Sequence, residues 1–146
     1  MKLDPFEVDA RIGQGAMGDV WRGEHRIEGV PVAVKFVTSL SAIEGDAERF
    51  RREVRSAAAL NHPGIIRIFD YGEVDQEAAA QSGLRVRPGA PYLVMEYADG
   101  GSLAALESEL SWSRLRELLI GLLEALCHAH ARGVIHRDLK PSNILL

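Results

Sequence analysis

The sequence predicts an α+β fold, in which a five-stranded antiparallel sheet with one helix precedes a mainly helical part. Short β-branched and aromatic runs bounded by glycine, proline or polar residues dominate roughly the first hundred residues. One amphipathic helical segment interrupts these runs, and a long leucine-rich helical segment follows them. We expect strands at 6–12, 20–25, 32–37, 65–71 and 91–97, and helices at 46–60 and 111–132.

Composition limits the classes of protein to consider. The chain has 146 residues, enough for one ordinary domain, and its 47% hydrophobic and 26% charged residues are typical of a globular chain. A net charge of -4 gives no support to nucleic-acid binding. No apolar run is long enough for a membrane span, and the acidic, proline-containing start does not resemble a secretory signal, so a cytoplasmic location is expected. The single cysteine, Cys127, excludes an internal disulfide and is expected to be buried and inert.

Three glycines are spaced Gly-x-Gly-x-x-Gly between residues 13 and 18. This spacing also occurs in dinucleotide-binding folds, where the glycines open a helix. Here they lead into 20–25, which has a strand pattern, so the glycines are expected to form the turn of a hairpin. Glycine lacks a Cβ atom, so such a backbone can approach phosphate oxygens and offer them N–H groups.

Lys35 lies inside the apolar run 32–37, where burying an ammonium group is costly unless it is paired. The helical segment 46–60 carries an apolar stripe formed by Phe50, Val54, Ala57 and Leu60. Glu53 lies beside this stripe and can point toward the sheet. Glu48, on the same helix, is the competing acidic residue.

The stretch 72–90 has no apolar period and is expected to be a flexible insertion. The strand pattern of 91–97 ends before the glycines at 100 and 101. The helix over 111–132 has Ser111 as a plausible N-cap and Gly133 as its end. His128 and His130 are two residues apart and do not share a helical face, so a metal site is not expected there.

The most specific stretch is His136-Arg137-Asp138-Leu139-Lys140-Pro141-Ser142-Asn143. Its proline disfavours a helix and favours a rigid loop, which can hold a carboxylate and an amide at fixed positions. The stretch satisfies every fixed position of the protein kinase catalytic loop. The glycine run, the lysine strand and the glutamate helix precede it in the order that kinases have, so the chain resembles the protein kinase family, specifically its bacterial serine/threonine branch.

The resemblance implies a protein-kinase-like fold. It places an N-terminal lobe at 6–97, with a regulatory helix, and a hinge and incomplete helical C-terminal lobe at 98–146, through the catalytic loop. It implies that Asp138 accepts a hydroxyl proton, that Lys140 reaches the γ-phosphate, and that Asn143 binds the metal ion. Glu53 would pair with Lys35. The implied nucleotide-binding residues are Ile12, Gly13, Gln14, Gly15, Ala16, Met17, Gly18, Val20, Ala33, Lys35, Met95, Glu96 and Ala98.

The implied activity is ATP-dependent and Mg²⁺-dependent phosphorylation of serine and threonine hydroxyls on protein substrates, as part of a longer kinase domain. No Asp-Phe-Gly segment follows the catalytic loop, which leaves a second possibility: a kinase-like fragment that binds nucleotide or a partner without catalysis. A small-molecule phosphotransferase is a third, less favoured possibility. The leucine face of the long helix is expected to be exposed and to promote association.

Overall fold

The computed structural model describes residues 1–15, 18–37, 46–82, 86–106 and 110–146. The chain divides into two compact units, here called unit 1 (Met1–Arg55 and Arg67–Tyr97) and unit 2 (Ser56–Ile66 and Ala98–Leu146). The segment 56–66 belongs to unit 2. The predicted lobes, 6–97 and 98–146, and the hinge between them stay predictions.

Unit 1 is built on an antiparallel sheet, as predicted, but the sheet has six strands where five were expected. In the order β1-β2-β3-β4-β6-β5, the strands are β1 (Lys2–Leu3), β2 (Phe6–Gly15), β3 (Gly18–His25), β4 (Val30–Val37), β6 (Pro91–Glu96) and β5 (Ile68–Glu73). The additional strand, β1, is too short to show a period. It pairs with β2, and its Lys2 N–H donates to Gln81 Oε1 at 2.9 Å.

The alternation of buried side chains along β4 shows which face of the sheet forms the core. Val32, Val34 and Phe36 are at most 1% exposed, and Trp21 and Val94 pack in the same cluster. Successive side chains of a strand point to opposite faces. Ala33 and Lys35 therefore lie on the other face of the sheet.

The described parts of the stretch 72–90, residues 72–82 and 86–90, contain a short helix and core residues, whereas the sequence predicted a flexible insertion. Residues 76–81 form α2 (Gln76–Gln81), whose N-cap Asp75 accepts the Ala78 N–H at 2.7 Å. Val74, Ala78, Ala79 and Val86 are buried in the core of unit 1. Alanines on a helix of only six residues give almost no periodic signal, which explains why the sequence did not reveal this packing.

The first helix, α1 (Asp46–Ala58), ends close to the predicted position. Its apolar stripe is confirmed at Val54, which is buried. On its polar side, Arg51 pairs with Glu73, and Arg55 Nε donates to the Tyr71 hydroxyl at 2.9 Å. Both contacts join α1 to β5.

Unit 2 contains the long helix α3 (Trp112–His130), with Ser111 as its N-cap accepting from Arg114 N–H at 3.3 Å. Gly133, with a φ of 73°, follows its end. Leu119 and Leu123 are exposed, as expected for its leucine face, whereas Cys127 is also exposed and not buried as the sequence suggested. None of the helices in the described ranges is long and apolar enough to cross a membrane.

Candidate active site

The loop after α3 is shaped by backbone conformation. Gly133 and Arg137 both have positive φ, of 73° and 61°, a region that favours glycine and is uncommon for arginine. Just after Arg137, the Asp138 N–H donates to His136 O at 2.8 Å and approaches His136 Nδ1 at 3.3 Å. The chain then closes a single turn over Pro141–Asn143. The strained Arg137 therefore sets the direction in which Asp138 projects.

Asp138, Lys140 and Asn143 form one hydrogen-bonded network within their loop. Lys140 Nζ lies 2.9 Å from Asp138 Oδ2. Asn143 Nδ2 donates to the same Oδ2 at 3.0 Å and to the Asp138 backbone oxygen at 2.7 Å. The bond from Lys140, and then that from Asn143, lower the pKa of the Asp138 carboxyl. Asp138 is therefore an ionised, partly exposed carboxylate that can accept a hydrogen bond from a hydroxyl group.

The donor set of this loop suits a hard divalent cation. Both bonds from Asn143 use its Nδ2, which leaves the carbonyl oxygen Oδ1 unused by this network. Amide and carboxylate oxygens are the ligands that Mg²⁺ prefers. The amide oxygen of Asn143 thus fits the metal role that the resemblance implies.

In unit 1, four of the predicted nucleotide-binding residues share one face of the sheet. Val20 lies directly opposite Lys35, and Ala33 lies opposite Met95. The alternation that buries Val34 and its neighbours in the core places these four residues on the opposite face. This face combines apolar side chains with a single ammonium group, a combination suited to a flat base and a phosphate chain.

The glycines form the end of the β2–β3 hairpin, as predicted. Gly13 lies opposite Val20, Gln14 opposite Asp19, and Gly15 opposite Gly18, while Ile12 is exposed. The predicted contacts of Ala16 and Met17 lie outside the described residues.

An ion pair that the sequence analysis missed spans this hairpin: Arg11 Nη1 lies 3.6 Å from Asp19 Oδ2. The hairpin register is the signal that could have found it. A loop of three glycines is costly to order, and a cross-strand pair next to it limits the conformations of both strands.

Lys35 and Glu53, the predicted ion pair, lie on β4 and α1, respectively. Lys35 is half-buried in β4, whereas Glu53 and the competing Glu48 are both exposed on α1. None of the ion pairs between described residues involves Lys35. The role of Glu53 as the partner of Lys35 stays a prediction.

The predicted hinge starts at the end of β6. The Glu96 N–H donates to Arg67 O at 2.9 Å, so a contact of Glu96 with a base would have to use its carbonyl oxygen. Ala98 is half-buried and follows the strand. In unit 2, Gly100 N–H donates to Leu146 O at 3.1 Å, and a Cβ atom on Gly100 would clash with that oxygen.

Comparison with known proteins agrees with this geometry. Residues 6–146 match the protein kinase domain family. A probable serine/threonine-protein kinase of Streptomyces coelicolor is 37% identical over 147 residues, covering 97% of this chain and 20% of that protein. The serine/threonine-protein kinase pkn2 of Myxococcus xanthus is 38% identical over 144 residues, covering 97% of this chain and 16% of that protein.

A solved structure shows the same fold. The crystal structure of the Mycobacterium tuberculosis PknI kinase domain superposes with a TM-score of 0.76 and 28% identity, over 97% of this chain and 54% of that one. This chain therefore spans about half of that kinase domain and about a fifth of the full length of its curated relatives. With the family match over nearly all its residues, and with the Asp138 loop and the glycine hairpin in place, the chain belongs to the protein kinase family.

Proposed function

We propose that this chain supplies the nucleotide-binding sheet and the catalytic loop of a serine/threonine protein kinase. The observation that carries this proposal is the network of Asp138, Lys140 and Asn143, which provides a carboxylate, an ammonium group and an amide oxygen on one short loop. Transfer of a phosphoryl group needs little covalent chemistry from the protein, and depends mainly on positioning and on charge stabilisation.

Asp138 would position the attacking hydroxyl group of a serine or threonine. Because its pKa is lowered by Lys140 and Asn143, it is a weak base in the free protein. It would orient the hydroxyl through a hydrogen bond, and would take the proton as the oxygen loses electron density to phosphorus. Lys140, already beside this carboxylate, would place positive charge next to the transferred phosphoryl group.

The face of the sheet that carries Val20, Ala33, Lys35 and Met95 would receive ATP. The apolar residues would contact the base, and the Lys35 ammonium group would bind phosphate oxygens. The hairpin backbone at Gly13, Gly15 and Gly18 would offer N–H groups to the phosphates. Mg²⁺, when bound through Asn143, would offset charge on the phosphate oxygens.

The alternative is a kinase-like binding module, which would bind nucleotide or a partner without transferring phosphate.

The test measures two properties: binding of a fluorescent ATP analogue, and transfer of labelled phosphate to a serine- and threonine-containing protein such as casein, with and without Mg²⁺. For the kinase proposal we expect phosphotransfer that falls by about a hundredfold or more in Asp138→Asn, the usual loss when a general base is removed. Lys35→Met is expected to abolish transfer and to weaken nucleotide binding.

Two matched variants control for the loss of a charge alone: Asp4→Asn, at an exposed aspartate, and Lys2→Met, at an exposed lysine, both in unit 1. Both should retain full activity. Nucleotide binding without transfer would favour the binding module, and transfer that survives in Asp138→Asn would exclude Asp138 as the base.

A further inference from the structure

Two histidines meet in unit 2, outside the candidate active site. His62 lies in the loop that follows α1, and His128 lies in the last third of α3. Their ring centroids are 5.2 Å apart with an interplanar angle of 47°. The contact joins a loop to a helix that is 66 residues away along the chain.

The loop approaches α3 closely next to this ring contact. A Cβ atom placed on Gly64 would lie 3.2 Å from Ala125 Cβ and 3.3 Å from the Gly121 oxygen, both on α3. Ala125 is buried, as is Ala129 one turn later. The loop therefore rests on a strip of small residues, and the two imidazoles lie beside that strip.

Each ring is arranged for its neutral form. His62 Nδ1 accepts the Gly64 N–H at 3.0 Å, and a doubly protonated imidazole has no lone pair with which to accept it. His128 Nε2 is buried without a hydrogen-bond partner among the described residues. A buried proton-carrying nitrogen without an acceptor would make the charged ring costly.

We propose that the contact between His62 and His128 is an acid-sensitive latch, which holds the loop 61–66 on α3 while His128 is neutral and releases it when His128 becomes protonated. The surroundings of His128 also favour its neutral form. Burial, then the Arg132 guanidinium on its own helix, then His62 on the loop, lower the pKa of His128. Arg132 is held close by a bond from its Nη1 to the His128 carbonyl oxygen at 3.1 Å.

The lowered pKa of His128 determines how docking of the loop changes with pH. The unfolded or undocked chain has a histidine of ordinary pKa, and the docked chain has His128 with a lowered pKa. Above the ordinary pKa both states are neutral and docking is at full strength. As the pH falls below it, the undocked state gains a proton first and docking weakens, until the docked pKa is also passed.

The experiment uses the whole chain, labelled with ¹⁵N and ¹³C. The protection of the Gly64 and Ile65 amides against hydrogen exchange is measured at pH 7.5 and pH 5.5, corrected for the intrinsic exchange rate, with Val34 and Val94 amides as the reference for unit 1. We expect the protection of Gly64 to fall by about threefold or more at pH 5.5, because an imidazole of ordinary pKa is mostly protonated at that pH and docking favours a neutral His128. The reference amides should change less than twofold.

Two variants distinguish the latch from general acid destabilisation. The double variant His62→Asn/His128→Phe keeps an acceptor for the Gly64 N–H and replaces the buried nitrogen by an apolar edge, so its Gly64 protection should become independent of pH. His130→Gln, which removes an exposed histidine of the same helix, should keep the wild-type fall.

Three results would overturn the proposal. The first is a wild-type Gly64 protection that changes less than twofold between the two pH values. The second is a double variant that keeps the wild-type fall. The third is an unprotected Gly64 at pH 7.5 while the unit 1 reference amides are protected, because the loop would then not be docked.

Discussion

Asp138 shows what a single residue's position in the sequence can and cannot reveal. Its identity as a candidate base follows from the eight-residue run that contains it, because few other functions need those residue types at that spacing. The sequence cannot show that Lys140 turns back onto Asp138. That contact depends on the positive φ of Arg137 and on the turn at Pro141–Asn143, which are properties of the folded loop.

The Lys140 contact gives a prediction about ionisation. Replacing Lys140 by methionine removes the largest cause of the lowered pKa of Asp138, so that pKa should rise toward its ordinary value. Carboxyl ¹³C NMR titration of Asp138 measures this directly. Asn143→Ala should raise the same pKa by less, because its bond is the second cause.

The lowered pKa of Asp138 also determines how the stability of the fold changes with pH. A carboxyl with a lowered pKa in the folded state stabilises the fold above its unfolded pKa, and this contribution is lost as the pH falls through the folded pKa. Lys140→Met should therefore lose stability less steeply in acid than the wild type does. Lys2→Met, at an exposed lysine, is the control and should leave the Asp138 titration unchanged. An unchanged titration in Lys140→Met would contradict the assigned contact.

At the scale of elements, the long periodic segments were predicted well and the short ones were not. The period-2 pattern of β4 and the 3.6-residue pattern of α3 are strong signals, and both elements lie close to the predicted bounds. β1 and α2 are short, and both depend on contacts with distant residues, such as the bond between Lys2 and Gln81. Local sequence cannot encode such contacts in a recognisable period.

The short helix α2 offers a test of this explanation. Its N-cap Asp75 accepts the Ala78 N–H, and Ala78 and Ala79 are buried. Asp75→Ala should lower the free energy of unfolding by about 1 kcal/mol, the usual cost of losing an N-cap. Urea unfolding followed by circular dichroism measures this change.

The matched variant is Asp75→Asn, because an asparagine amide oxygen can accept the same N–H. It should retain most of the stability that Asp75→Ala loses. Equal losses in the two variants would mean that the charge of Asp75 matters and that the cap does not.

At the scale of the whole molecule, the two units differ in how much apolar surface they bury. Unit 1 contains a continuous core in which Val34, Phe36 and Val94 are 0% exposed. In the described part of unit 2, the buried apolar residues are Leu60, Ala125 and Ala129, two of them alanines, and Leu123 on α3 is 59% exposed. The sequence predicted the exposed leucine face, but it could not predict that 56–66 belongs to unit 2, because that assignment depends on the docking of the loop onto α3.

This difference predicts unequal local stability. Amides that open only when a large core is disrupted exchange slowly, and amides over a small core exchange faster. We expect the amides of Val34 and Val94 to be at least about tenfold more protected than that of Leu122 at pH 7.5, which corresponds to about 1.4 kcal/mol in opening free energy. Native-state hydrogen exchange by NMR provides the measurement. The core variant Val94→Ala should lower protection across β4 and β6 and so reduce the difference, because it leaves a cavity in unit 1. Equal protection in the wild-type chain would show that α3 is stabilised by contacts other than buried apolar surface.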